Sequence, residues 1–573
     1  MPSRSPATKP APTKAAETYL YQPVPANDDS IRIGWMYPAD YTIAMSSLGY
    51  LMLYRQLDSQ PGIAATRVTT DTLQHHRANE FELMGFSFSF ELDMMAILQT
   101  LETLDLPIYA KDRDRHAPLV FAGGPVVMTN PEPYAAFFDF FLIGEGEELL
   151  MDLEVAYRRH RHLASREELL HALAIEVPGL YVPSLYEVTY EGPEGPIAAI
   201  TPRYDDIPFP VKKRFIENMD NFVASSPILT ENTIFSNTFL VEVMRGCAHR
   251  CRFCLASYSM LPTRGASLEP IIEAIESGLV HTKKIGLLGA LIADHPQFDQ
   301  LCDYLNTRMD QLGGLTLSSS SLRADTLTLP IAQTFKKGNQ NQLTIAVESG
   351  SERLRRRINK NLKHDQILQA AAVMSEAGMK GMKVYGMVGL PEEEESDVEE
   401  LGALMKELRK LNPRLELHLG CSSFVPKAGT PFQWMPRLEN KNIDRRFEIL
   451  RKQLLKVANF RPSSTKWDFF QAFLSRGDRR LAPLLVRFYQ LGSSLGTMHR
   501  AYKELKQEGL VDFPPLEWYA LRERPETEVL PWDALHLGVS KEILYKEGLP
   551  PPGFPSRQPT GSVVTPSAVV LAR

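Results

Sequence analysis

Residues 238–258 read "TFLVEVMRGCAHRCRFCLASY": an apolar run like a buried strand, followed at once by Cys247, Cys251 and Cys254. The chain has 573 residues and only 5 cysteines, so crowding three of them into one C-x3-C-x2-C loop calls for a chemical reason. Thiolates ligate soft metals, and ligands on one short loop chelate at little cost in chain entropy. A structural zinc site is one reading, with His249 or a distant cysteine as fourth ligand. Such sites usually come as two spaced pairs, whereas Cys302 and Cys421 stand alone here. Three thiolates without a fourth suit a [4Fe–4S] cube with one iron left open.

Working outward, strand candidates recur at 239–244, 284–289, 315–319, 342–347, 381–387 and 415–420, with helices at 268–279, 296–311, 364–377 and 396–410. Six βα units predict a partial (β/α)6 barrel over 238–435, with its chemistry at the C-terminal strand ends, where the cysteine loop falls. Upstream, residues 30–155 alternate runs such as "IRIGWMYP" and "FELMGFSFSF" with amphipathic stretches such as "AMSSLGYLMLYRQL". That alternation predicts an α/β, doubly wound, Rossmann-like domain with Gly123, Gly124, Gly144 and Gly146 just after its strands, at the edge where such sheets bind ligands. Residues 156–237 read as a connector with little regular helix, and 436–548 as a mainly helical C-terminal region forming a third unit. Residues 1–29 and 549–573, rich in Pro, Ala, Ser and Thr, read as a disordered arm and tail.

Composition narrows the class. A net charge of -6 gives no global nucleic-acid or membrane footprint. Few, clustered cysteines fit a reducing cytoplasm better than a secreted disulfide scaffold. No apolar run approaches the roughly 20 residues of a spanning helix, and the N-terminus lacks the apolar segment of a signal peptide.

The C-x3-C-x2-C spacing, Phe253 before the last cysteine and the barrel setting together resemble the radical S-adenosylmethionine (SAM) superfamily. The resemblance implies that Cys247, Cys251 and Cys254 hold a [4Fe–4S] cluster whose open iron binds SAM. An electron then cleaves a C–S bond to give methionine and a 5′-deoxyadenosyl radical. It further implies SAM contacts at Phe253, at Gly289 of "LLGALIADHP", and at Ser319, Ser321 and Arg323 of "SSSLRAD". Glu348 and Ser349 of "TIAVESGSERLRRRINK" and Val388 and Gly389 of "YGMVGLPEE" complete the set. "LLGALIADHP" lacks the glutamate of the family's GGE-like stretch.

The upstream domain resembles the cobalamin (B12)-binding subgroup, whose members are mostly of unassigned reaction; this likeness runs from about residue 30 to 548. It implies cobalamin on the sheet edge, touched by Ser46, Ser87, Gly123, Gly124, Gly144 and Glu145. The D-x-H-x-x-G motif is missing, since "ADYTIAMSSLG" carries no histidine. Either cobalamin binds without a protein imidazole or the fold persists without it. The implied activity is methyl transfer to an unactivated carbon. Alternatives are a radical SAM enzyme without cobalamin acting on a small molecule or RNA, and a non-catalytic iron–sulfur or cobalamin sensor. Methylthiolation usually needs an auxiliary cluster with three more cysteines, which Cys302 and Cys421 cannot supply, so the sequence disfavours it. The implied partners are an unidentified substrate and an electron donor such as flavodoxin or ferredoxin.

Other segments keep two readings. In "FVPKAGTPFQW", Lys427, Thr430 and Gln433 face a substrate, or the stretch serves as a cap in which Phe424, Phe432 and Trp434 cover the barrel core. Arg353, Arg355, Arg356 and Arg357 form a solvated helix face or hold a phosphate-bearing substrate. Arg476, Arg479 and Arg480 of "SRGDRR" make an ion-pair turn with Asp478 or grip a phosphate or RNA backbone.

Overall fold

The computed structural model describes residues 16–510, 513–552 and 554. Its N-terminal sheet contains β1 (Ile31–Tyr37), β2 (Ile63–Thr69), β3 (Leu83–Ser87), β4 (Leu119–Gly123), β5 (Phe140–Leu142) and β6 (Leu180–Tyr181). They pair in the order β2-β1-β3-β4-β5-β6, all parallel except the last pair. The order reverses at β1, so the β1/β3 crevice is the topological switch point at which doubly wound sheets bind ligands. The inner strands β1, β3, β4 and β5 are apolar almost throughout because helices cover both faces, whereas the edge strand β2 carries Thr66, Arg67 and Thr69.

The second sheet system holds β7 (Phe239–Glu242), β8 (Lys284–Leu288), β9 (Thr316–Ser319), β10 (Gln342–Glu348), β11 (Gly381–Val388), β12 (Glu416–Ser423) and β13 (Asn459–Pro462). β7-β8-β9 and β10-β11-β12-β13 are each parallel, and a single bridge from Leu322 to Ile345 joins the two halves into an open barrel. Side chains alternate along each strand. On β10, Leu343, Ile345 and Val347 enter the core under the helices, leaving Thr344, Ala346 and Glu348 for the inner wall. The helices at Leu268–Leu279, Phe298–Leu312, His364–Glu376 and Glu395–Leu411 fall where the periodicity predicts them. β13 is an added strand.

Three boundaries differ from the sequence reading. Helices at Gly146–His160 and Arg166–Glu176, then β6, extend the first domain well past residue 155 into the expected connector. Ser165 and Glu168 form a reciprocal capping box that starts the second of these helices. The expected disordered arm is corrected from residue 16 onward: Thr18–Tyr19 pairs with Ile228–Leu229, and Glu17 meets Arg67 at 2.6 Å. Aromatic and charged anchors here outweigh the disorder-prone composition; residues 1–15 and most of the tail lie outside the described residues. The C-terminal region does not build a separate core. Ile443, Phe447 and Leu450 join the barrel core, while Phe470, Phe473, Leu485 and Phe488 pack into that of the N-terminal domain.

Gly144 has φ +139°, and a Cβ there would strike the backbone of Arg214. Gly144→Ala is expected to destabilise by about 2–4 kcal/mol, combining left-handed strain with overpacking. Gly123 has no neighbour nearer than 3.8 Å to such a Cβ, so Gly123→Ala should stay within about 1 kcal/mol of wild type. Denaturant midpoints of the two variants check this.

Candidate functional site

The cysteine loop is closed at its neck by Met244–Arg245 pairing with Arg264–Gly265. Gly246 turns the chain at φ +80°, with Met260 O only 2.6 Å from where a Cβ would sit. Asn359 Nδ2 donates to the carbonyls of His249 and Arg250, each at 3.0 Å. Arg252 N donates to Ile358 O at 3.0 Å, and Phe432 N to Arg252 O at 3.2 Å. The segment beyond β10 and the segment beyond β12 thus hold the loop over the barrel mouth.

Burial pushes the Cys251 thiol up to about 12; Cys254 and Glu348 add to the rise, while Lys360 and Arg323 oppose it. Burial also raises Cys254, which feels Cys247. A thiol raised in this way gives up its proton when it ligates a metal. Among the described residues, no three His, Cys, Asp or Glu side chains are set to hold one metal ion.

Three acid–base pairs stand at successive strand ends beside this loop. His249 Nε2 lies 2.7 Å from Asp294 Oδ2, after β8. Arg323, after β9, makes a fork with Asp325 at 2.9 and 2.8 Å. Lys360 Nζ lies 3.5 Å from Glu348 Oε1 at the end of β10. Glu348 adopts φ +70° at a register shift between Ala346 and Glu348, a costly conformation for a non-glycine residue and one that clusters at functional sites. Burial raises its carboxyl pKa, against the pull of Lys360. Arg323 also reaches Lys360 O at 3.1 Å, and its buried Nη1 has no protein partner. A buried orphan donor next to a thiol cluster suits an anionic ligand group.

Of the residues singled out for SAM, Arg323 and Glu348 join the cysteines, and Gly289 ends β8 with its carbonyl accepting from Ser320 Oγ at 2.9 Å. Phe253 packs in an apolar cluster with Leu354, Ile358, Leu390, Phe424 and Phe432. Ser321 lies on the link between the barrel halves. Ser319 is corrected: strand alternation turns it outward to Gln340, at 3.3 to 3.4 Å. Ser349 is buried and receives Ser351 N at 3.3 Å. The Val388 side chain enters the helix-covered core, and its carbonyl accepts from Phe424 N at 2.8 Å. Gly389, at φ +80°, is required by the approach of Ile443, 2.5 Å from a would-be Cβ, and its N–H donates to Glu393 Oε2 at 2.6 Å. Lys360, Asn359 and Asp294 escaped sequence reading. The "INKN" turn after an arginine run carries the first two, and its amide and amine were the available signal.

A cavity of about 420 Å³ opens at the C-terminal edge of the N-terminal sheet. Trp35, Phe86, Ser87, Gly123 and Met128 line one side, while Glu242, Arg245 and Leu288 of the barrel close the other. Gly85 carries no side chain because Trp35 and Phe121 fill that space, 2.8 Å or less from a would-be Cβ. Arg245 binds Glu242 at 2.6 Å, Glu147 at 2.9 Å and Glu145 at 3.1 Å. Arg264 adds a second hold on Glu145 at 2.6 Å. Glu145 is corrected accordingly: its carboxylate locks the domains together rather than standing free for a ligand. Ser46 is corrected too, since its hydroxyl donates to Thr42 O at 2.7 Å and accepts from Ile234 N at 2.9 Å. Gly124 and Gly144 serve close backbone approaches to Phe88 and Arg214. Ser87 and Gly123 remain on the cavity wall.

The arginine and cap readings change as well. Arg355 and Arg357 are buried: Arg355 donates to the carbonyls of Ser349, Gly350 and Leu362, and Arg357 pairs with Glu392. They are neither a solvated face nor free for phosphate. Arg480 pairs with Asp478 at 2.7 Å, Arg479 with Glu132 at 2.7 Å, and Arg476 is fully buried, which removes the RNA grip. Lys427 pairs with buried Glu91, and Thr430 and Gln433 are buried in hydrogen bonds within the cap.

A parallel barrel with a thiol loop after its first strand, facing the binding edge of a doubly wound domain, defines a class of iron–sulfur barrel enzymes. The chain belongs to the radical SAM superfamily: residues 58–183 match the family of radical SAM proteins, N-terminal, and residues 241–405 the radical SAM superfamily itself. It is a radical SAM enzyme whose cofactors are a [4Fe–4S] cluster and SAM and which needs a reductant and a substrate. The chain is similar to an uncharacterized protein of Methanocaldococcus jannaschii, 28% identical over 459 residues, covering 78% of this chain and 89% of that one. An uncharacterized methyltransferase of Pyrococcus horikoshii is 26% identical over 302 residues, 51% of this chain and 58% of its own. Among solved structures, the radical SAM methyltransferase TsrM of Kitasatospora setae, with cobalamin and a [4Fe–4S] cluster bound, shows 13% identity. Its TM-score is 0.48, over 84% of this chain and 99% of that one. Among the described residues no helix is long and apolar enough to cross a membrane.

Burial alone would raise the Glu145 carboxyl, but the Arg264 hydrogen bonds and the Arg245 charge hold it below the usual carboxylate range. Its contribution to stability is therefore present above the unfolded pKa near 4.3 and lost as pH falls through the lower folded value. Arg245→Met is expected to cost about 3–5 kcal/mol at pH 7 by stranding buried carboxylates. The gap to wild type should shrink below about pH 4. Unfolding curves across pH read both effects.

Proposed function

We propose that Cys247, Cys251 and Cys254 hold the [4Fe–4S] cluster, that Glu348, Lys360 and Arg323 receive the polar groups of SAM, and that the sheet-edge cavity takes cobalamin. The reading extends to methyl transfer onto an unactivated carbon by a cytoplasmic enzyme. One observation carries it. The ligand edge of the N-terminal sheet and the end of β7, from which the cysteine loop springs, form opposite walls of the same cavity. When bound, the cluster with SAM supplies reductive C–S cleavage, and cobalamin supplies a methyl carrier. The residues here fit both groups. The loop thiols, with Cys251 buried near an unpartnered Arg323 N–H, suit a cluster with an anionic ligand. An aromatic wall with Ser87 and Gly123 suits the face of a macrocycle. A corrinoid is larger than this cavity, so part of it would lie in the opening between the domains. The lining contains no histidine, in keeping with the absent D-x-H-x-x-G motif, so cobalt would have no imidazole from this wall.

The chain's own groups have separable tasks. Lys360 and Arg323 offer cationic donors, whereas Glu348 offers an acceptor for an ammonium or ribose hydroxyl. The apolar cluster around Phe253 keeps water from the barrel mouth. The methyltransferase name of the Pyrococcus relative is in keeping with methyl transfer.

The test is product analysis on anaerobically reconstituted protein with SAM and a chemical reductant. Methionine and 5′-deoxyadenosine are expected, with S-adenosylhomocysteine appearing in addition when cobalamin and a methyl acceptor are supplied. Cys251→Ala should lower both products by at least about 100-fold while leaving far-UV circular dichroism intact. Deoxyadenosine with no cobalamin-dependent homocysteine product would favour the cobalamin-free reading. Undiminished turnover in Cys251→Ala would contradict the cluster assignment.

A further inference from the structure

A second cleft, of about 590 Å³, lies on the outer side of the cysteine loop. Its wall carries Lys212, Lys213, Arg250 and His536 and no acidic side chain, in a chain whose net charge is -6. The floor is ordered, because Val211–Lys212 pairs in parallel with Leu535–His536. Lys213 fastens that floor to the loop by donating to the carbonyls of Ser259 at 2.8 Å and Leu261 at 2.6 Å. Arg250 is held at 2.7 Å by Glu547, which does not line the cleft, so the basic face is partly compensated at one rim. Lys212 is exposed. Ala248 is exposed too, lines the cleft and is bonded directly to Cys247.

We propose that this cleft is the docking surface of a small acidic one-electron carrier protein. The inference rests on the cluster assignment above. Two features converge on it. The cleft meets the protein surface at the peptide joined to a cluster thiol, which makes it the short route for an electron. Its local charge is opposite to that of the chain as a whole, so it complements an acidic partner. The electron balance is simple: the reduced carrier gives up one electron, the cluster takes one up, and no bond forms between the proteins. A small substrate is a poorer occupant, because the radical must act at the inner mouth and not behind the loop.

The experiment is anaerobic stopped-flow reduction of the reconstituted full-length chain by reduced flavodoxin, compared with reduction by titanium(III) citrate. Lys212→Glu should slow flavodoxin about tenfold at low salt and flatten the salt dependence. Lys212→Arg should restore the wild-type rate. Titanium(III) reduction and iron content should stay within about twofold of wild type in both variants. An unchanged flavodoxin rate with an intact, chemically reducible cluster overturns the docking site alone. Failure of wild type to hold a reducible cluster overturns the underlying assignment as well. If Lys212→Glu spares the carrier and instead abolishes retention of RNA, the cleft is a nucleic-acid surface and the proposal is wrong.

Discussion

One guanidinium ties the molecule together. Arg245 follows the first barrel strand by three residues and precedes Cys247 by two, and it binds carboxylates from both domains: Glu242 beside it, and Glu145 and Glu147 from the turn after β5. The turn can reach it because Gly144 lets the backbone pass against Arg214. Arg264, at the far side of the loop neck, grips Glu145 again. A buried network of this kind adds little net stability, yet breaking it is costly, so it favours one arrangement over its neighbours. That arrangement faces the switch-point cavity toward the cysteine loop.

The barrel wall follows a related rule. Alternation along each strand sends branched apolar residues to the helices and leaves small or polar residues inside. At the strand ends the pattern breaks. Glu348 sits in a left-handed conformation at a bulge, and the pairs His249–Asp294, Arg323–Asp325 and Lys360–Glu348 gather beside the cysteine loop, where burial raises the Cys251 thiol. Strained backbone and buried charge are expensive, and their concentration at the mouth marks it as the place where ligand binding returns that cost.

Much of this was legible in the sequence. Strand and helix alternation gave both sheets because their apolar runs are long and their periods distinct, and the cysteine spacing located the site. Side-chain destinations were less legible. Ser319 and Val388 lie in segments that meet the mouth, yet the pleat sends their side chains to the opposite face. Glu145 looked like a ligand contact at a sheet edge, and only the partners brought from residues 245 and 264 reveal it as a lock. In the arginine run at 353–357 Arg356 is exposed, whereas Arg353 and Arg357 find carboxylates some 35–44 residues away, at Asp397 and Glu392, which local spacing does not reveal. The C-terminal helices were recognisable as helices, but not their division between two cores, which depends on packing across hundreds of residues.

The proposed function puts a metal cluster and a corrinoid in one composite site between the two domains. Counting iron, zinc and cobalt on a single sample, reconstituted anaerobically with cobalamin and freed of unbound cofactor, tests it most directly. The account predicts about four irons and about one cobalt per chain, with zinc near zero. Zinc in place of iron, or a full complement of iron with no retained cobalt, would contradict it.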